Sequence, residues 1–318
     1  MQKPKDIKKS LYTPMLSIRG NTYSRSITDG LSFILARARL IARENKTKLT
    51  QTGKELKLNI KGKPLGTKPI TFVIYHVPFD KDQNKSIGSF DVPQIDHSKI
   101  KHLELVRWTI QEIKRSCPEA EVVLCTDENF GNSIADLNPT ILIPEVEKNR
   151  PMYYRARTYN TIIQNQWLKG TTVFLDSDAI VLKNLTQLPH QLNFKVGVTA
   201  RYAPNLMPIN EGVIITQSKS QECLDFFGHY MGTYEFIKDY KKIQKITGND
   251  LMRWRGGQLS LNAICQGSKM ADFRDSSASL KILPCSIYNY AVPNKDIIPD
   301  LKKTGQVYIA HIKGKAKY

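Results

Sequence analysis

The sequence predicts an α/β fold: a mostly parallel mixed sheet flanked by helices, preceded by a basic, partly helical N-terminal extension. Three observations lead there. Continuous apolar runs of strand length recur as ITFVIYHV (70–77), AEVVLCT (120–126) and TVFL (172–175). Unbroken runs, rather than alternation, are what strands buried on both faces require. Segments of helical periodicity lie between them, so strands and helices alternate as in right-handed βαβ units. Charge, finally, divides the chain. The net charge is +18, and residues 1–69 hold 16 Lys/Arg against 4 Asp/Glu, a net +12. We therefore divide the chain into an extension, 1–69, and a main domain, 70–318.

In the extension, Leu31, Ile34, Leu35, Ala38, Ile41 and Ala42 recur at helical spacing. They predict one amphipathic helix from about Thr28 to Glu44, capped by Thr28 or Asp29. The stripe suits packing on the main domain, and the flanking Arg37, Arg39 and Arg43 also suit an anionic membrane surface. The segment from Asn45 to Pro69 is rich in Lys, Thr and Gly and reads as a hairpin or linker.

From Ile70 the elements follow in order. Ile70–Val77 is the first strand. Ser98–Ser116 is a helix with Ile100, Leu103, Val106, Ile110 and Ile113 on one face, ended by Cys117-Pro118. Ala120–Thr126 is a second strand closing on Asp127, and Thr140–Ile143 a short third. Met152–Leu168 is helical, with Lys169-Gly170 as its stop. Thr172–Leu175 is the fourth strand, and Val307–Ala310 is strand-like just before His311.

Five cysteines, at 117, 125, 223, 265 and 285, include no CxxC pair. Neither a disulfide framework nor a zinc site is implied, and a reducing compartment fits. The start MQKPKDIKKS is not followed by an apolar signal core. No apolar run reaches the roughly 18 residues that a membrane-spanning helix needs. The expected location is cytoplasmic, with peripheral contact to an anionic membrane through residues 1–69. No GxGxxG follows the first strand and no GxxxxGK[ST] occurs. Dinucleotide binding of the Rossmann kind and P-loop chemistry thereby lose their main support.

Open α/β sheets bind ligands at the carboxyl ends of their strands. The polar residues just after each apolar run are therefore the candidates. Tyr75 and Asp127 stand there and can meet a nucleotide base or ribose; for Asp127, capping of the next turn is an equal alternative. In VFLDSDAIVL (173–182), Asp176 and Asp178 sit between two apolar runs. Two carboxylates on one side make a hard-oxygen site for Mg²⁺ or Mn²⁺, where a divalent ion would stabilise a diphosphate leaving group.

The run FLDSDAIVLKNL (174–185) resembles the DxD signature of GT-A nucleotide-sugar glycosyltransferases. Further matches follow in order. INEGVII (209–215) resembles the NxGV segment, GQLSLN (257–262) the DQxxLN segment, and HIKGKAK (311–317) the HxxGxxK of the retaining family that includes glycogenin and the lipooligosaccharide galactosyltransferases. The resemblance covers residues 70–318.

It implies that Asp176 contacts both metal and ribose, that Asp178 and His311 complete the metal ligands, and that Gly314 and Lys317 hold the diphosphate. It places Gln258 near the anomeric carbon and Asn210 on the donor sugar or acceptor. It also implies an Arg on the diphosphate or donor sugar from the helix before the DxD strand. Arg155, sharing a helical face with Tyr159 and Ile162, is preferred to Arg157. The sequence departs from the family at Gly257, where an Asp is expected before Gln258. Glu211 stands where a carboxylate is unusual; it reads as a catalytic base or as a sugar-binding or surface acid.

The resulting expectation is a metal-dependent glycosyltransferase using a nucleoside-diphosphate sugar and a glycan, lipid-linked or protein acceptor, with retention favoured. One rival is a nucleotidyltransferase with a similar paired-acid site, which would want a Gly-rich basic loop where His76-Val77-Pro78-Phe79-Asp80 stands. The other is a basic nucleic-acid-binding protein. Against that, the charge concentrates in the extension and no nucleic-acid motif is present, so no nucleic-acid partner is expected.

Overall fold

The computed structural model describes residues 22–62, 68–77, 102–147, 150–201, 208–239, 256–265 and 279–312. A seven-stranded sheet runs in the order β3-β2-β1-β4-β7-β6-β8. Its strands are β1 (Ile70–Tyr75), β2 (Glu121–Asp127), β3 (Ile141–Ile143), β4 (Thr171–Asp176), β6 (Val196–Ala200), β7 (Ile209–Gln217) and β8 (Leu280–Pro284). The first four neighbours, β3 to β4, are parallel, and β6 pairs parallel with β8. Strand β7 is antiparallel to both β4 and β6, which makes the sheet mixed. A second sheet of three strands joins β5 (Ala179–Val181), β10 (Ile309–Ile312) and β9 (Tyr290–Val292).

Alternate residues of each strand face opposite ways, so each apolar run feeds two cores. Phe72, Ile74, Val173 and Leu175 pack toward helix α3 (His102–Ser116), with Val106, Ile110 and Ile113. Val73, Tyr75 and Phe174 pack the other way, against helices α4 (Pro151–Gln164) and α5 (Gln221–Lys238), through Tyr159, Ile162, Phe227 and Tyr230. Pro151 stands in the first turn of α4, where its missing N–H costs no hydrogen bond. Ser220 caps α5 by accepting from the Cys223 N–H at 3.1 Å. Helix α4 ends at Gln164 rather than at Leu168, because Gln166 takes a left-handed φ of 51°.

The extension departs from its sequence reading in two places. Helix α1 runs Thr22–Glu44, so Thr28 and Asp29 lie inside it instead of capping it. Nothing between Thr22 and Thr28 breaks a helix, and an established helix propagates through residues that would also make good caps. Residues 46–55, inside the expected hairpin or linker, form helix α2 (Lys46–Glu55). Its composition is poor for a helix, and tertiary packing decides instead. Leu49 and Gly53 are buried against α5, where a Cβ on Gly53 would fall 1.8 Å from the Gly228 carbonyl oxygen. The chain after α2 then bridges the sheet edge, with Lys61 and Leu142 exchanging backbone hydrogen bonds of 2.8 and 2.9 Å.

Ile34, Leu35, Ala38 and Ala42 of α1 are buried against Ile237 of α5 and against Leu259 and Ala263 of helix α6, residues 256–264. Arg37 and Arg43 remain exposed. No described helix is long and apolar enough to cross a membrane. All five cysteines are free and buried.

Candidate active site

The sequence candidates converge at the carboxyl end of β4. Asp176 is the last residue of that strand, in register with Tyr75, the last residue of β1. Asp178 follows in the turn into β5. Strand β10 pairs with β5, setting His311 opposite Ala179, and the Ile312 N–H donates to the Asp178 carbonyl at 2.9 Å. Thus β10 carries His311 back to the acidic turn. His311 Nε2 lies 3.0 Å from Asp178 Oδ1 and 3.7 Å from Asp176 Oδ2. One ligand atom from each of the three residues falls within 4.8 Å of the others.

Three further observations test whether these residues fit a divalent metal. Asn289, unremarked in the sequence, supplies the first. Its Nδ2 donates to Thr199 Oγ1 and Asn210 Oδ1, both at 3.0 Å, so its Oδ1 is the acceptor facing His311 Nδ1 at 2.8 Å. A proton on His311 Nδ1 would satisfy this contact, and Nε2 is the nitrogen turned toward the carboxylates. An imidazole nitrogen and two carboxylates facing one point could hold a cation between them, and an oriented imidazole is the usual form of a metal-bound His. The second observation is steric. A Cβ on Gly212 would lie 2.6 Å from Asp176 Oδ2 and 2.8 Å from His311 Cε1, so glycine leaves room for these two side chains to approach each other. The third is the donor set itself, since carboxylates with one imidazole suit Mn²⁺ or Mg²⁺. The residues fit.

Strand β7 shapes the other wall. Its pairing with β6 jumps from Val198–Ile214 to Thr199–Asn210, leaving residues 211–213 bulged from β6. Bulges of this kind re-aim side chains. Asn210 and Gly212 face the metal-ligand side; Asn210 Oδ1 accepts from the Gly212 N–H at 2.8 Å. Glu211 faces the opposite way, toward α4 and α5. Its Oε1 accepts from Tyr230 Oη at 2.5 Å and its Oε2 from Arg155 Nη2 at 2.7 Å. The other terminal nitrogen of Arg155 bonds Asp176 Oδ1. Burial alone would lower the Arg155 pKa, but the Glu211 and Asp176 carboxylates outweigh it and hold the guanidinium well above its ordinary value. Burial, aided by Glu211, pushes the Tyr230 hydroxyl well up, so it stays protonated and donates. Arg157, the alternative to Arg155, turns away and donates to the Lys57 carbonyl at 2.9 Å.

The remaining candidates sit as follows. Tyr75 is buried, with its hydroxyl unpartnered among the described residues and its pKa raised chiefly by burial. Asp127 caps the single-turn helix Glu128–Gly131, accepting from the N–H groups of Asn129 and Phe130 at 3.0 and 3.2 Å. It also lines a cleft of about 600 Å³ with Phe130 and Tyr154. Gln258 is half-buried on α6 beside Gly257, and a Cβ on Gly257 would lie 2.2 Å from Glu211 Oε1. Gly314 and Lys317 lie outside the described residues.

Beyond the three metal candidates, sequence reading missed Asn289, Tyr230 and the bare faces of Gly212 and Gly257. An Asn between two tyrosines and a Tyr within an apolar helix carry no spacing signal; Gly212 was visible as part of the NxGV match.

No family model and no curated protein matches the sequence. Among solved structures, the chain is similar to a glycosyltransferase involved in the glycosylation of the major capsid of PBCV-1, at 12% identity and TM-score 0.42, over 78% of this chain and 94% of that one. It is similar to mouse xyloside xylosyltransferase 1 at 10% identity and TM-score 0.43, over 77% and 97%. It is similar to the galactosyltransferase LgtC, solved with donor and acceptor sugar analogs, at 10% identity and TM-score 0.39, over 77% and 88%. Likenesses this distant carry no residue roles, and the chemistry rests on the side chains above.

Proposed function

We propose that the chain is a metal-dependent glycosyltransferase of the GT-A type, moving a sugar from a nucleoside-diphosphate sugar to an acceptor hydroxyl on a glycan, a lipid-linked sugar or a protein. The observation that carries the reading is the convergence of Asp176, Asp178 and His311, from a strand end, a turn and a distant strand, with ligand atoms within 4.8 Å. It lies where α/β sheets bind ligands. These three residues would hold Mn²⁺ or Mg²⁺. A divalent ion there would offset the charge that builds on a departing diphosphate.

The chain's own groups supply the rest. Arg155, kept protonated beside Asp176, is a fixed positive charge in a buried setting, where such charges act strongly. Asn210 has its Oδ1 committed to Gly212 and Asn289, which leaves its amide nitrogen as the end to meet a sugar hydroxyl. By resemblance, Gln258 stands near the reacting carbon, and Gly314 and Lys317 clamp the diphosphate; Tyr75 and Asp127, from their places at strand ends, would meet the nucleoside, with capping of the next turn the alternative for Asp127.

Retention is the preferred outcome, on the HxxGxxK resemblance. Inversion needs a carboxylate free to take the acceptor's proton, and both Glu211 oxygens already accept from Tyr230 and Arg155. A cytoplasmic location and reversible contact of residues 1–69 with anionic membranes belong to the same proposal. Salt-dependent pelleting with anionic vesicles tests that contact, and equal, negligible pelleting at low and high salt removes it.

The deciding experiment is a thermal-shift screen of nucleoside-diphosphate sugars with and without Mn²⁺. A ligand that binds the native state raises the midpoint by mass action. A rise with at least one donor that depends on Mn²⁺, followed by sugar transfer that EDTA abolishes, is expected. Transfer undiminished in EDTA, or no donor giving a Mn²⁺-dependent rise, would overturn the reading.

A further inference from the structure

We infer that Glu211 is a positioning residue for the metal-binding carboxylate of Asp176, acting through Arg155, and that Gly257 lacks a side chain because the Glu211 carboxylate fills the space one would take. The inference rests on the metal reading above.

Asp176 has two duties. Its Oδ1 accepts from Arg155, while its Oδ2 lies over the bare face of Gly212 and faces His311 Nε2 at 3.7 Å. A guanidinium is a fork that prefers to take both oxygens of one carboxylate. If Arg155 did so here, it would cover the oxygen that Asp176 turns toward the metal ligands. What prevents this is the second carboxylate. Arg155 spends one terminal nitrogen on Asp176 and the other on Glu211 Oε2, 2.7 Å away. Glu211 is itself fixed from its other oxygen by Tyr230. Arg155, Glu211 and Tyr230 are all buried, so water is a poor substitute for any missing partner. The order Tyr230, Glu211, Arg155, Asp176 is thus a chain of hydrogen bonds that fixes which Asp176 oxygen stays available.

Gly257 explains how the carboxylate reaches this position. A Cβ there would lie 2.2 Å from Glu211 Oε1, 2.5 Å from Oε2 and 2.6 Å from Cδ. These distances place it inside the carboxylate group itself. Any side chain at 257 must therefore evict Glu211 from Arg155. Conversely, an acid at 257 could stand in the same volume if Glu211 were cut back. The two positions are alternative sources of one carboxylate, and this chain uses the strand.

The test reads Mn²⁺ affinity directly, by titration with free Mn²⁺ followed by electron paramagnetic resonance, alongside thermal midpoints. Glu211 reaches Asp176 through Arg155, and Glu211→Ala should weaken Mn²⁺ binding about 10–100-fold, the range for partners that orient metal ligands. Gly257→Ala should do the same by evicting an intact Glu211. The double variant Glu211→Ala with Gly257→Asp should recover most of the loss, which a purely structural role would not produce. Wild-type affinity in both folded single variants, or a double variant no better than the single ones, overturns the inference. Should Glu211→Ala fail to fold, Glu211→Gln decides: it keeps the shape and loses the charge, so weaker Mn²⁺ binding supports the role and unchanged binding overturns it. Wild-type protein that binds no Mn²⁺ would remove the metal reading itself, and this inference with it.

Discussion

Two regions of the molecule are built around glycine for opposite ends. At the acidic turn, Gly212 and Gly257 are bare so that charged side chains can occupy the space, namely Asp176 and His311 over the first and Glu211 over the second. Where α2 meets α5, Gly53, Gly228 and Gly232 are bare so that backbone can meet backbone. A Cβ on Gly232 would fall 1.9 Å from the Leu49 carbonyl oxygen. The first arrangement makes room for the candidate site and the second for close packing of helices. Damage to each should therefore be separable: site variants should lose function while folding, and seam variants should lose stability while keeping the site.

The sharpest break of that kind is Asp178→Ala. Asp178 lies in a turn, and its carboxylate meets His311 Nε2 at 3.0 Å, so its loss removes a proposed ligand and little packing. Transfer activity should fall by about a hundredfold to a thousandfold, the scale lost when a central transition-state charge stabiliser is removed. The melting temperature should stay within a few degrees. A variant that turns over normally would end the metal role of Asp178.

The reverse break is Gly53→Ala. The added methyl meets the backbone of α5, which cannot move aside as a flexible side chain can. Overpacking of this sort costs about 1–3 kcal/mol, and more where nothing relaxes. Urea unfolding should show that loss, while Mn²⁺ affinity changes less than about threefold in the folded protein. Asn160 of α4 donates to the Gly53 and Leu56 carbonyls at 2.8 and 3.2 Å, and α4 also carries Arg155. A fall in Mn²⁺ affinity matching the loss of stability would mean that the seam helps to set the site.

The same contrast explains what could be read from the sequence. The convergence of the DxD pair and His311 was legible because motif spacing reports side chains that a fold brings together, and the strands ending at Tyr75, Asp127 and Asp176 were legible because buried parallel strands must be apolar throughout. The gap at Gly257 was visible as a departure, but its cause was not. Glu211 fills the space across a fold contact, and no local pattern records who occupies whose volume. Helix α2 was misread for a similar reason. KTKLTQTGKE has a weak apolar stripe, and its stability comes from close approach to α5, a relation between two distant segments that both look unremarkable alone.

The smallest expected effect is a pH dependence confined to the helical seam. His229 of α5 is buried, and its Nε2 meets the Ala42 carbonyl at 3.0 Å, in the last turns of α1. Burial lowers its pKa, the hydrogen bond to Ala42 partly opposes that, and Lys46 of α2 lowers it again. In the unfolded chain it returns to about 6.5. Below that pH the unfolded state binds a proton that the folded state does not, so stability falls as pH drops from about 6.5 toward the lower folded value. Above 6.5 the two states agree, and His229 adds no slope. One such site gives a slope of at most about 1.4 kcal/mol per pH unit. Urea unfolding at pH 7.5, 6.5 and 5.5 should show the decline, and His229→Asn should flatten it without altering Mn²⁺ affinity at pH 7.5. The His229 contribution does not pass through His311, which meets Asn289 and the two aspartates rather than the seam. If His311→Asn flattened the slope and His229→Asn did not, the acid sensitivity would belong to the site, and the division between the two regions would fail at that point.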